Sequence, residues 1–398
     1  MFFQGRHFFI LLSVLGLMVG CMANSKDQVE LNSLPTGTFK PLPKPLVSAY
    51  LHIGNRKLDI NSLNLDGVDI VNFAFTKLNN SHMGLIHPGD AENFMIARKL
   101  KRRYPEMRVL VSVGGYGTSK DFSAMAVNPE QRAVFVDDAV RFVRYYDLDG
   151  IDVDWEFPGM NKDTRDTDRV NFTALIKELR AAFNEAQKKD GKKYILTIAA
   201  GAFDLYLTFT EPRKIEPFVD YFYIMTYDFY GQWNNYTGHH TNLYASLFQP
   251  KGHSVNKVIS NYINCGIPRE KIILGAAFYG RQWKDAGPVN KGLFQPAKGI
   301  GSISFNKITS LLHSGKYIRY WDPKAMAPTL YNKDEKIFVS YEDERSVARK
   351  VDYVYLHDLG GIMYWEYFSD DRFRLANAIK HQVKSVKKQY VDYGMPGF

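Results

Sequence analysis

The chain has very little cysteine: Cys21 and Cys265 are the only two among 398 residues. Two thiols build no disulfide framework and no cysteine-based metal cluster, so stability has to come from packing. Membrane-length apolar runs are missing too. The N-terminal run Phe8–Gly20, preceded by Arg6 and His7, is too short to span a bilayer and has the pattern of an export signal. No glycine-rich phosphate turn follows the first strand-like segment, which disfavours an open dinucleotide-binding sheet. The formal charge is +9, yet no basic run is interleaved with aromatics, so nucleic acid is not an expected partner.

Aromatic residues are plentiful: 25 Tyr, 27 Phe and 5 Trp. Their faces stack well on sugar rings, although most aromatics simply fill cores. The apolar run ends Met18-Val19-Gly20-Cys21, which resembles a bacterial lipobox with Met18 where Leu is usual. Plain signal cleavage near Ala23 is the alternative. Residues 1–21 are therefore expected to be a lipoprotein signal with lipid on Cys21. Residues 22–45, polar and then rich in proline (Pro35, Pro41, Pro43, Pro45), read as a tether. The protein is expected to be exported and held at the outer membrane or cell surface through that lipid alone, or else to be secreted. A monomer is expected.

From Leu46 onward, short apolar runs alternate with amphipathic stretches. The runs are Leu46–Leu51, Asp69–Phe75, Arg108–Val113, Gly150–Trp155, Tyr194–Ala200, Tyr221–Thr226, Lys271–Phe278 and Gly361–Trp365. Between them, Phe135, Ala139, Phe142, Val143 and Tyr146 recur at helical spacing after Asn128 and Pro129, a plausible cap and first turn. Phe172, Leu175, Ile176 and Leu179 form a second such face. Eight strands alternating with helices predict an α/β fold, a closed (β/α)8 TIM barrel. The interval between the seventh and eighth strands is longer than a helix and two loops need. Residues 282–339 are therefore expected to be a small α+β insertion. They contain strand-like pieces at Tyr317–Trp321 and Lys336–Tyr341 and a helical piece near Phe305–His313. The barrel is expected to occupy 46–281 and 340–398.

The run Asp149-Gly-Ile-Asp152-Val-Asp154-Trp-Glu156 is the sharpest chemical signal. Side chains alternate across a strand, so Asp152, Asp154 and Glu156 share one face, and Ile151, Val153 and Trp155 share the other. Three carboxylates on the inner face of a barrel strand repel one another and lose solvation, which raises their pKa values. That suits a site in which one carboxyl stays protonated near neutral pH and donates a proton. Glu156, the longest and nearest the strand's C-terminal end, is the best donor, and Asp154 and Asp152 can share a proton behind it. A carboxylate cation site is the rival chemistry, but no His partner stands nearby.

The same run fits the DxxDxDxE motif of family 18 glycoside hydrolases, the chitinases and their relatives. Further stretches resemble that family: Asn72-Phe-Ala-Phe75, Ser112-Val-Gly-Gly115, Met225-Thr-Tyr-Asp-Phe229, Phe278-Tyr-Gly-Arg281 and Gly361-Ile-Met-Tyr-Trp365. Tyr320-Trp321-Asp322 and its surroundings look like the family's chitinase insertion domain. The resemblance implies retaining, substrate-assisted hydrolysis of β-1,4 bonds between N-acetylglucosamine units, without cofactor or metal. Glu156 would protonate the leaving oxygen and the substrate's 2-acetamido carbonyl would attack. Asp154 would swing to the acetamido N–H, with Asp152 behind it, and Tyr227 would orient the acetamido carbonyl. Trp365 would floor the sugar site. Asp228 and Arg281 would bond substrate hydroxyls, a mutual salt bridge being the alternative. Tyr50, Phe75, Gly115, Tyr116, Met225, Tyr279 and Met363 would complete the binding site.

Two departures stand out. Tyr116 replaces the Trp that many relatives carry after the paired glycines, and a common Trp after the first strand is absent from Tyr50-Leu-His-Ile-Gly54. About 27 residues follow Asp371, so no separate carbohydrate-binding domain is expected there, and soluble oligosaccharides or loosened chitin chains are the expected substrates. The alternatives are an endo-β-N-acetylglucosaminidase acting on N-glycan cores and a chitinase-like lectin that binds without cleaving. The second typically lacks the terminal acid, which is present here as Glu156.

Overall fold

The computed structural model describes residues 45–160 and 164–392. Cys21 and the expected signal and tether up to residue 44 lie outside the described residues. Fourteen strands are present among the described residues. They are β1 Leu46–His52, β2 Ile70–Asn79, β3 His82–Gly84, β4 Arg108–Gly114, β5 Gly150–Asp154, β6 Ile195–Ala200, β7 Tyr221–Ile224 and β8 Ile272–Ala277, then β9 Tyr279–Lys284, β10 Lys298–Ser304, β11 Ile318–Asp322, β12 Ala327–Asn332, β13 Ile337–Ser340 and β14 Gly361–Trp365.

Eight of these run parallel in the order β1-β14-β8-β7-β6-β5-β4-β2, and β2 pairs back onto β1 to close the barrel. Strands buried on both faces read as continuous apolar runs rather than alternating ones. This is why β6 (ILTIAA) and β8 (IILGAA) are buried throughout. Helices cover the outside. The helix Pro129–Tyr145 starts where Asn128 accepts hydrogen bonds from the backbone N–H groups of Glu130 (2.8 Å) and Gln131 (3.3 Å), satisfying donors that a first turn leaves without partners. Its Phe135, Ala139 and Val143 face the barrel. The helix Asp168–Asp190 buries Phe172, Leu175, Ile176 and Leu179 in the same way.

Between the seventh and eighth barrel strands stands a small α+β unit. Its antiparallel sheet has the order β10-β9-β13-β12-β11, and the helix Phe305–His313 packs beside it, capped by Ser304. The sheet begins earlier than the sequence pattern suggests. β8 ends at Ala277, and Tyr279 and Arg281, which resemble a seventh-strand motif, lie on β9. β9 leaves the barrel and pairs with β10 and β13 instead. The unit therefore springs directly from the C-terminal rim of the barrel, where active sites of this architecture sit.

Candidate active site

Alternation along β5 turns Asp152 and Asp154 into the barrel. Trp155 points outward between Phe122 (ring centroids 5.4 Å apart) and Phe172 (5.6 Å). Strand register then selects the partners of Asp152, because Ser112 of β4 and Thr197 of β6 stand level with it. Ser112 Oγ and the Tyr50 hydroxyl donate to Asp152 Oδ2 at 2.9 and 2.8 Å, and Thr197 Oγ1 donates to Oδ1 at 2.6 Å. Burial pushes the Asp152 pKa up, and the three donors restrain that rise without reversing it. Asp152 is thereby locked below the site.

Asp154 turns toward Glu156 rather than toward Asp152. The two carboxyls share a hydrogen bond, while the buried Asp154 Oδ1 has no partner among the described residues. Burial, then the charges of Glu156 and Asp152, hold Asp154 well above the usual carboxylate range. The shared hydrogen bond raises Asp154 and lowers Glu156, so it favours the proton on Asp154. Burial still lifts Glu156 to about 7, and the nearby charge of Asp228 adds to the lift. Glu156 lies just past the end of β5. Its N–H donates to Ser119 Oγ at 3.1 Å and its carbonyl accepts from the same hydroxyl at 3.2 Å, while its carboxyl accepts from the Tyr116 N–H.

Two glycines let neighbouring backbone close in on these acids. At Gly114 (φ +107°) a Cβ would lie 2.2 Å from the Asp154 carbonyl oxygen, and at Gly115 (φ +87°) it would lie 2.6 Å from the Phe75 ring. Neither the conformation nor the space admits a side chain.

After β7 the chain runs through Met225, Thr226, Tyr227 and Asp228, the last in the left-handed region at φ +61°. Asp228 Oδ1 accepts from the Tyr279 hydroxyl at 2.8 Å and from Arg281 Nε at 2.7 Å, and Oδ2 accepts from Arg281 Nη2 at 2.6 Å. His240 Nδ1 lies 3.8 Å away, beyond hydrogen-bonding reach. Burial works to raise Asp228, but the adjacent His240 and the Arg281 guanidinium override it and hold the carboxyl well below its ordinary value. The mutual salt bridge is thus the arrangement present, and Arg281 has one further bond, from Nη1 to Gln232 at 2.9 Å.

These groups border a cavity of about 1030 Å³. Tyr50, Phe75, Tyr116, Asp154, Glu156, Met225, Tyr227, Asp228, Tyr279, Arg281 and Trp365 all line it. Trp365 stacks on Phe75 (5.4 Å, 28°) and meets Tyr50 edge-on at 5.7 Å. Three expected residues stand behind the wall rather than on it. Asp152 is capped by its three donors, Gly115 sits under Phe75, and Met363 is 1% exposed inside the barrel. The sequence reading missed His52, Ser119, Phe203, Trp233 and Glu366. His52 packs 5.6 Å from Trp365. The alternation that selects Tyr50 also selects it, two residues on, so a signal existed. Trp233 and Phe203 come from irregular loops and had none. Among the described residues, no group of three His, Cys, Asp or Glu side chains is arranged to hold a metal ion.

The family model "Glycosyl hydrolases family 18" matches residues 48–370. Chitinase A1 of Niallia circulans is 36% identical over 310 residues, covering 73% of this chain and 44% of that protein. Chitotriosidase-1 of Mus musculus is 31% identical over 315 residues, 75% of this chain and 66% of that one. Among solved structures, a family 18 N-acetylglucosaminidase from Paenibacillus barengoltzii superposes with a TM-score of 0.79 at 35% identity, covering 85% of this chain and 99% of that one. Chitinase ChiW from Paenibacillus sp. str. FPU-7 gives 0.80 at 32% identity over 85% and 43% of the two chains. The chain spans less than half the length of the Niallia protein.

Proposed function

The chain belongs to the glycosyl hydrolases of family 18, and from that premise we propose that it hydrolyses β-1,4 bonds between N-acetylglucosamine units of chitin or chitooligosaccharides. The observation that carries this reading is the Asp154–Glu156 pair at the cavity wall: an acid lifted to about 7 beside a buried carboxyl with one oxygen unpartnered among the described residues. The relatives named chitinases support the choice of substrate.

In the proposed reaction Glu156, neutral below about pH 7, gives its proton to the glycosidic oxygen. The 2-acetamido carbonyl oxygen bonds to the anomeric carbon as the glycosidic C–O bond breaks, forming an oxazolinium ion. Asp154 leaves Glu156 and takes up the acetamido N–H. Tyr227 donates to the acetamido carbonyl and holds it in line. Water then attacks the anomeric carbon, its proton passing to the Glu156 carboxylate, and the acetamido group is restored with retention. The acids follow one another along one strand end, so they do not flank a sugar ring as the two-carboxylate scheme requires. That favours a nucleophile belonging to the substrate.

Incubation with chitohexaose and, separately, with a high-mannose glycopeptide tests the reading. We expect chitohexaose cleavage with retained β-anomers, and the product sizes distinguish release of single sugars from release of oligomers. Glu156→Gln is expected to lose roughly 10²-fold or more in kcat, the scale of a missing general acid, while still binding the oligosaccharide. Cleavage of the glycopeptide alone would move the activity to N-glycan cores, and full turnover by Glu156→Gln would refute the mechanism. We also propose export and lipidation at Cys21. Cys21→Ser should abolish incorporation of labelled fatty acid.

A further inference from the structure

Behind the wall that carries Tyr227 lies a fully buried ion pair that the proposed reaction does not use. Lys350, on the helix Glu344–Leu356, pairs with Glu342, and each is 1% exposed. Lys350 Nζ also donates to Thr241 Oγ1 at 2.6 Å and to the Gly275 carbonyl of β8 at 3.3 Å, so all three ammonium protons have acceptors. Glu342 accepts in addition from Ser346 Oγ. The single Thr241 hydroxyl proton has two acceptors in reach, the Thr226 carbonyl oxygen at 3.0 Å and Glu342 Oε1 at 3.2 Å, and the shorter of the two passes the contact forward to the Thr226 oxygen. That oxygen belongs to the peptide joining Thr226 to Tyr227.

This peptide needs an outside hold. The strand β7 ends at Ile224, the Met225 N–H makes the last bond across to the Ala200 carbonyl of β6 at 2.9 Å, and the two N–H groups after it bond only two residues back, Thr226 to Ile224 at 2.8 Å and Tyr227 to Met225 at 2.6 Å. Asp228 then takes a left-handed φ. Such a path is not propagated by a sheet ladder, so its shape has to be imposed by neighbours. Thr226 Oγ1 clips one side to Gly275, donating to its carbonyl at 2.7 Å and accepting from its N–H at 3.0 Å. The Lys350–Thr241 relay holds the other side. A buried ion pair is often no more stabilising than an apolar pair of the same volume, so its value here need not be stability.

We propose that Lys350, with Glu342, is a positioning residue of the glycosidase site, acting through Thr241 to fix the Thr226–Tyr227 peptide and hence the Tyr227 phenol. This rests on the reaction proposed above. Lys350→Met/Glu342→Leu removes both charges together and leaves no buried ion unpaired. We expect it to fold, to lose about ten-fold or more in kcat on chitohexaose, as small misplacements of catalytic groups do, and to change KM little. In a Tyr227→Phe background the same pair of changes should have almost no further effect, because the two act on one group. Wild-type kcat in the double variant, or losses that multiply with Tyr227→Phe, would overturn the proposal. Should the double variant fail to fold, Thr241→Val against Thr241→Ser asks the same question. The Val variant should lose turnover and the Ser variant, which keeps the hydroxyl, should recover it; equal activity of the two would overturn the proposal. Amide exchange reads the hold without any turnover. Protection at Thr226 and Tyr227 should fall in the double variant, or in Thr241→Val, while β7 and β8 keep theirs; unchanged protection would also overturn it. A wild type that cleaves nothing but shows this exchange pattern would remove the reaction and leave the positioning contact.

Discussion

Glu156 titrates near 7 because burial denies its charge solvent, and neither the Asp154 hydrogen bond nor the Tyr116 N–H fully compensates. The form that the proposed first step uses is the protonated one. It is present below that value and lost above it, so kcat/KM on chitohexaose should fall about ten-fold per unit once pH passes roughly 7. A profile that stays flat to pH 9 would contradict the assignment of the acid. Asp154 is also held well above the usual carboxylate range, by burial and then by the charges of Glu156 and Asp152. Tyr227 makes a separate claim at this scale. In the proposed reaction its hydroxyl meets developing charge on the acetamido oxygen, and Tyr227→Phe should then cost roughly 10²-fold in kcat, the magnitude of one lost donor of that kind.

The site depends on elements more than on any one side chain. Level pairing of β4, β5 and β6 brings Ser112 and Thr197 to Asp152. The end of β4, at Gly114, and the residue after it, Gly115, are the two glycines that admit the β5 backbone and Phe75. Gly115→Ala tests that close approach. Its φ of +87° and the 2.6 Å approach to the Phe75 ring should together cost on the order of 1–3 kcal/mol, seen as a lower urea midpoint. Activity should drop with it, since Phe75 stacks under Trp365. The strand β9 contributes differently: through Tyr279 and Arg281 it ties the added sheet to Asp228, so the unit and the segment after β7 are one wall.

Across the whole molecule, buried acids make the fold sensitive to pH. Glu156 is raised to about 7 and Asp69 to about 6, and Asp152 and Asp154 are raised as well. Each is raised by burial, so the folded state binds more protons than the unfolded one between about pH 4 and 7. Their contribution is complete below the unfolded values and disappears as pH climbs through the folded ones. Asp228 and Asp220 are depressed and have the opposite sign: their stabilisation is present above an ordinary carboxylate pKa and fades in stronger acid. The thermal midpoint should therefore peak near pH 5 and decline toward pH 8. Glu156→Gln should raise the midpoint at pH 8 by a few degrees, since a shift of this size is worth roughly 3–4 kcal/mol at most. At pH 4 it should change little. A midpoint that rises steadily from pH 5 to 8 would show the sign to be wrong.

Local periodicity was enough to find the eight barrel strands, the Asn128 cap, and the inward face shared by Asp152 and Asp154, because each depends only on neighbours a few residues away. The same alternation pointed Trp155 outward, as the structure has it. What the chain order did not contain was register. That Asp152 meets Thr197 and Ser112 follows from how distant strands slide against one another when the barrel closes, and that Ser119 clamps Glu156 and Lys350 reaches Thr226 through Thr241 follows from how loops and a helix then pack on it. The placement of Tyr279 and Arg281 shows the limit most clearly. Only Phe278 separates β8 from β9, and no local pattern marks the point where the chain stops pairing with β14 and begins pairing with β10 and β13. That choice is a competition between whole sheets for the same backbone hydrogen bonds, and only the tertiary structure decides it.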